Sequence, residues 1–176
     1  NVSTIGQTGV SSVTDVAQTG EDNRSTVTQS GSGSTTDVDQ TGDFNTSTVT
    51  QSASLADVTI EQNGTRNTST ATQSGLNSST TVTQTNLDDI VLGNTSTVTQ
   101  SGINSDTDVT QNGSDNTSGV TQNALDSAVN VMQAGTGNGS AVGQTGDGST
   151  VIVTQDSVLS GVGQTSTVAQ SGDGST

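Results

Sequence analysis

The 176-residue chain has no cysteine, no histidine, no proline, no tryptophan and no tyrosine; Phe44 is its one aromatic residue. Each absence excludes a class of chemistry. Without Cys or His there is no zinc site, no thiol nucleophile and no Ser–His–Asp triad. Lysine is also missing, so Arg24 and Arg66 are the only basic side chains and leave no electrostatic footprint for nucleic acid. No run approaches the roughly 20 apolar residues of a membrane helix, so no membrane insertion is expected. No leader segment is visible, as expected of the mature form of a secreted chain. Apolar residues are only 24% and the net charge is −15, a balance usually found in disordered chains. Such chains are rich in Pro, Lys and Glu, however, and this one has only Glu21 and Glu61 beside its aspartates. Its bulk is Ser, Thr, Asn, Gln, Gly and Val. Thr and Val favour strands, and Gln and Asn can stack in ladders along a cross-β axis.

Glutamine sets a period. It falls at Gln7, Gln18, Gln29, Gln40, Gln51, Gln62, Gln73 and Gln84, eleven residues apart, and after a gap of sixteen at Gln100, Gln111, Gln122, Gln133, Gln144 and Gln155, again eleven apart. Gln170 follows after fifteen. Regular self-similarity of this kind marks a repeat architecture. Each row reads as a seven-residue strand and a four-residue turn. Strand side chains alternate between faces, so residues two, four and six before each Gln share its face. The residue two before is almost always aliphatic, as at Val27, Val49, Val98 and Val109. The intervening residues are Thr, Asp or small. That alternation predicts strand, not helix.

Two kinds of row alternate. One begins with Asn (Asn23, Asn45, Asn67, Asn94, Asn116, Asn138) and the other with Ser (Ser12, Ser34, Ser105, Ser127, Ser149), so the true unit is about 22 residues: strand, turn, strand, turn. Turns such as TGED, TGDF, NGTR and SGSG put Gly second after Gln, where a positive φ is expected; Gly20, Gly42, Gly64, Gly113 and Gly135 hold that place. Longer turns are expected at 85–93 and 156–163, both at the same corner. The expected domain organisation is a single repeat array over 1–176, about 7.5 coils, with 171–176 starting an incomplete next strand.

The spacing Ser-x5-Gln-x-Gly-x2-Asn-x-Ala/Ser-x3-Gln resembles the curlin repeat. Ser12, Gln18, Gly20, Asn23, Ser25 and Gln29 match it, as do Ser34, Gln40, Gly42, Asn45, Ser47 and Gln51. Ser105, Gln111, Gly113, Asn116, Ser118 and Gln122 match again, followed by Ser127, Gln133, Gly135, Asn138, Ser140 and Gln144. Ala56 in place of Ser and Asn86 in place of Gly are departures. The resemblance implies a secreted bacterial subunit that polymerises into amyloid fibres of the biofilm matrix. It also implies a nucleator subunit, an outer-membrane secretion pore and a periplasmic chaperone as partners, beside copies of the chain itself.

The expected fold is therefore all-β: a β-solenoid of strand–turn–strand coils with two facing, parallel, in-register sheets. Gln over Gln and Asn over Asn would satisfy their amides along the axis, and the Val columns would supply the dry contact. Asn1 opens directly as an Asn-type strand, and an uncapped coil would template another copy. No catalytic residue, cofactor or metal is expected. Asp15, Asp37, Asp39 and Asp108 face outward and are read as a solvated acidic face that limits lateral clumping. The Asn-x-Ser/Thr sequons are read as by-products of the repeat, their Asn pointing inward. The alternative function is a monomeric solenoid binding ice or a surface through outward Thr-x-Thr pairs such as Thr48/Thr50, or a repeat segment of an adhesin.

Overall fold

A computed structural model describes residues 1–86, 92–157 and 162–176. Its fifteen strands fall into two parallel sheets. One sheet takes the odd rows in chain order: β1 (Val2–Gln7), β3 (Arg24–Gln29), β5 (Thr46–Gln51), β7 (Thr68–Gln73), β9 (Thr95–Gln100), β11 (Thr117–Gln122), β13 (Gly139–Gln144) and β15 (Thr165–Gln170). The other takes the even rows: β2 (Val13–Thr19), β4 (Thr35–Thr41), β6 (Asp57–Gly64), β8 (Ser79–Asn86), β10 (Asp106–Ser114), β12 (Ala128–Thr136) and β14 (Thr150–Asp156). The chain is a β-solenoid. Each strand pairs with the one two rows on, 22 residues away as Val27 with Val49 and Gln29 with Gln51, or 26 to 27 across the longer turns, as Gln73 with Gln100 and Gln144 with Gln170.

The faces follow from the pleat. In β5 the pattern is alternately part-buried or exposed and fully buried, with Ser47, Val49 and Gln51 inside. The apolar core is a double column between the sheets: Val27, Val49, Ala71, Val98, Val120 and Val142 from one, and Val38, Ile60, Val82, Val109, Val131 and Val153 from the other. Val58, Val129 and Val151 widen it. Burying one Val stabilises by roughly 1.5–3 kcal/mol at most, and ordering a residue's backbone costs about 1–2 kcal/mol. A 22-residue coil with two or three aliphatic core side chains thus cannot stand alone, and stability accumulates by contact between neighbouring coils.

The rows are not uniform seven-residue strands. Odd strands have six residues, because the leading Asn belongs to the turn, whereas β6 and β8 have 8 and β10 and β12 have 9. The even strands run on past Gln because the residues after it keep pairing, as Asn63 with Thr85 and Gly64 with Asn86.

The turns need a similar correction. Gly20, Gly42, Gly64, Gly113 and Gly135 have φ between 93° and 118°. A side chain at Gly42 would also put a Cβ 2.2 Å from the Gly64 carbonyl oxygen. At the opposite corner, in SGSG, Gly31 is not among the positive-φ residues; the left-handed residue there is Gly33, four after Gln. Gly31 is small because its turn lies against the next one, and Ala53 and Ala124 occupy the equivalent place in two coils. Both corners share a left-handed residue four after Gln, and its type varies: Ser11, Asp22, Phe44, Leu55, Arg66, Asn77.

The residues in excess of the period, 87–91 and 158–161, lie outside the described residues. On either side the stack keeps register: the Asp115 amide donates to the Leu92 carbonyl (3.1 Å) and the Gln164 amide to Asn138 Oδ1 (3.0 Å). Residues 171–176 hold the turn that repeats 145–150, not a strand; the Thr150 amide donates to the Ser175 carbonyl (2.9 Å).

Candidate assembly surface: the stacked polar ladders

Gln18, Gln29, Gln40, Gln51, Gln62, Gln73, Gln84, Gln100, Gln111, Gln122, Gln133, Gln144, Gln155 and Gln170 form two columns, one per sheet. Most are fully buried. Up to Gln144, each Nε2 donates to the Oε1 of the Gln one coil on: Gln40 to Gln62 at 2.7 Å, Gln62 to Gln84 at 2.8 Å, Gln111 to Gln133 at 2.8 Å. The second amide hydrogen goes to a backbone carbonyl at a corner. In the even sheet it is the first residue of the facing strand, as Gln62 to Thr46 O at 3.0 Å and Gln111 to Thr95 O at 3.0 Å. In the odd sheet Gln51 donates to Ala56 O at 2.6 Å and Gln73 to Ser78 O at 2.7 Å. A buried amide left without partners costs about 1–3 kcal/mol, so these bonds are what lets a side chain as polar as Gln sit in the core. Every Gln–Gln bond across the insertions is kept, Gln73 to Gln100 at 3.0 Å and Gln84 to Gln111 at 2.8 Å.

Asn23, Asn45, Asn67, Asn94, Asn116 and Asn138 are likewise buried and stacked. They do not form a simple amide-on-amide ladder. Each is clamped to the backbone of the next coil. Asn23 Oδ1 accepts from the Asn45 amide (3.0 Å), while Asn23 Nδ2 donates to the Gly42 carbonyl (2.6 Å). Side-chain contact from Asn to Asn adds to this at Asn67, Asn116 and Asn138. The clamp connects two observations: the carbonyl of the left-handed Gly42 is presented to Asn23, and a Cβ on that glycine would strike the turn stacked on it.

A partner column at the opposite corner was not singled out by the sequence. Ser34 Oγ donates to the Ala53 carbonyl (2.8 Å) and accepts from the Ala56 amide (3.2 Å); Ser78, Ser105, Ser127 and Ser149 repeat the arrangement. A hydroxyl that both donates and accepts does there what the Asn amide does at the other corner. The signal was the Ser that opens every second row. Thr36 and Thr107 add cross-sheet bonds, donating to Gln51 Oε1 at 2.9 Å and Gln122 Oε1 at 2.7 Å. One column is only partly satisfied: Ser25 and Ser47 Oγ bond to each other (3.2 Å), whereas the Oγ atoms of Ser69, Ser96, Ser118 and Ser140 are buried without a hydrogen-bond partner.

Outside, Asp15 lies beside Asp37 and Asp39 beside Glu61 in register. Among the described residues no group of three or more acidic side chains is placed to hold a metal ion, and no helix is long and apolar enough to cross a membrane. Arg66 lies over the Phe44 ring, 5.7 Å from its centroid, one coil above it at the same turn position.

The geometry defines a class: a repeat protein whose buried polar side chains hydrogen-bond along the stack axis, coil to coil. The family model of the curlin associated repeat matches residues 11–42, 31–62, 56–85 and 125–156, well over half of the chain, and the chain belongs to that family. The family is one of curli-like structural amyloid subunits, not of enzymes. No curated protein matches the chain.

Proposed function

We propose that the chain is a structural subunit that assembles head to tail into extracellular amyloid fibres of a bacterial biofilm matrix and supports adhesion there. The supporting observation is the polarity of the ladders. Every Gln–Gln bond runs in one direction, Nε2 of one coil to Oε1 of the coil after it, from Gln7→Gln29 to Gln144→Gln170. The contact between coils is therefore the same throughout and is heterologous: a donor-bearing side meets an acceptor-bearing side. A contact of this type between chains does not close on itself and extends into a filament. Joining two like ends would set donor against donor at one kind of junction and acceptor against acceptor at the other.

Copies of the chain are the principal partner. A nucleator subunit, an outer-membrane secretion pore and a periplasmic chaperone are the partners that family membership suggests, with the cell surface as the location. The test is seeded growth. Fragmented filaments added to fresh protein should remove the lag and give fibres with a meridional spacing of about 4.8 Å. A solution that stays clear and monodisperse with seeds present would refute assembly and favour the monomeric surface-binding solenoid.

A further inference from the structure

The two outer faces of the solenoid differ in charge. The even sheet is acidic: Asp15 beside Asp37, Asp39 beside Glu61, and Asp106 and Asp108 all point outward and are exposed. Apart from Arg24 the odd sheet is neutral and rich in threonine, giving way to Gly139, Ala141 and Gly143 in β13. Thr46, Thr48 and Thr50 lie in register with Thr68, Thr70 and Thr72, and these with Thr95, Thr97 and Thr99. Among the outward positions of the described odd strands the sole charge is Arg24. The turns that edge the stack add further acid, Glu21, Asp22 and Asp43 at one corner and Asp126 and Asp147 at the other.

We infer that the threonine face of the odd sheet is a lateral docking surface for a second copy of this chain, so that filaments pair through this face, with their acidic faces turned to solvent. The inference rests on the filament proposed above. With a net charge of −15, approach through the even sheet or the edges sets carboxylate against carboxylate. Approach through the Thr face does not. Area also suffices. Six-residue strands at ~3.3 Å per residue and eight strands at ~4.8 Å give a face of about 750 Å², so a face-to-face pair buries about 1,500 Å² per two chains. That is the size of a stable protein interface, and it recurs with every subunit along the filament. Threonine suits such a contact, because its methyl packs dry while its hydroxyl finds a partner across or along the sheet. The acidic faces, left outside, would stop growth at the pair instead of a bundle.

Mass per length decides it. One chain of 17.4 kDa spread over the eight coil spacings of its odd sheet at ~4.8 Å gives ~4.5 kDa per nm for a single filament and ~9 kDa per nm for a pair. Scanning transmission microscopy of wild-type filaments should return the paired value. Thr48→Glu with Thr97→Glu should halve it, whereas the charge-matched Thr59→Glu with Thr110→Glu, on the other sheet, should leave it unchanged. Should the first variant fail to assemble, the cross-section of wild-type filaments still decides: Thr faces apposed support the pairing, acidic faces apposed overturn it. Single-width wild-type filaments, a pair that survives Thr48→Glu/Thr97→Glu, or unpaired filaments that shape ice crystals would each overturn it while leaving the filament itself intact. Failure to form filaments at all would remove both proposals.

Discussion

Gln111 and Thr110 are neighbours in one strand, one buried in the ladder and one on the outer face. Replacing each in turn by Glu isolates what the ladder contributes. Gln111 Nε2 donates to Gln133 Oε1 (2.8 Å) and Thr95 O (3.0 Å), and its Oε1 accepts from Gln84 (2.8 Å). An ionised carboxylate in that place keeps the last bond and turns the first two into contacts between acceptors. Protonated, it regains one donor, so at low pH Gln111→Glu should cost only the unsatisfied acceptor, about 1–3 kcal/mol. Burial and two facing oxygens disfavour the charged form, raising its folded-state pKa by some ~3 units or more above the ordinary ~4.3. A raised carboxyl pKa means the folded state holds its proton more tightly. The additional penalty is thus absent below about pH 4, grows as pH rises towards about 7, and then levels at ~4 kcal/mol, since each unit is about 1.4 kcal/mol. Guanidinium unfolding followed by circular dichroism, at pH 4 and pH 8, measures it against Thr110→Glu, which carries the same charge on the wet face. A loss for Gln111→Glu that matches Thr110→Glu at both pH values, or that does not grow between them, would refute the assignment of Gln111 to a buried donor ladder.

Three further substitutions probe the packing. Lys at Val49 or Val109 places an ammonium group among fully buried aliphatics, at a cost of several kcal/mol, and should abolish folding and assembly as read by sedimentation; Lys at Thr48 should not. Gly42→Ala combines a φ of 104° with a Cβ 2.2 Å from the Gly64 oxygen and should cost roughly 1–3 kcal/mol or more, whereas Gly143→Ala, with nothing within 4 Å, should move the denaturation midpoint little. Ser96→Ala removes a buried hydroxyl that has no hydrogen-bond partner, so the midpoint should hold or rise; a fall of more than ~1 kcal/mol would point to a partner for that hydroxyl.

The coil length, the pairing register and the inward faces could all be read from the sequence, because the eleven-residue Gln period and the two-residue alternation are geometric consequences of stacked strands. Individual hydrogen-bond partners could not. An inward Asn predicts a buried amide that needs satisfying, but whether it bonds to the Asn above or to the turn above depends on how closely the turns stack. The structure places the Asn23 side-chain Nδ2 on the Gly42 carbonyl and the Asn45 backbone amide on Asn23 Oδ1. The same limit hid the left-handed residue four after Gln. Phe44, Leu55 and Arg66 have no preference for positive φ, and they adopt it because their amides must reach the turn below, Phe44 to Glu21 O and Leu55 to Ser32 O, both at 3.0 Å. The Ser column of the odd sheet shows the converse. Ala or Ser fits the repeat at that place, and the hydroxyl turns out to serve no bond at Ser69, Ser96, Ser118 and Ser140.

Cryo-electron microscopy of seeded filaments tests the central claim most directly. Continuous stacking predicts strands perpendicular to the filament axis, an odd sheet running unbroken from one molecule into the next, and an axial advance of about 38 Å per chain, from eight odd strands at ~4.8 Å. A break in the odd-sheet glutamine column at each junction, or an advance unrelated to the coil spacing, would contradict it.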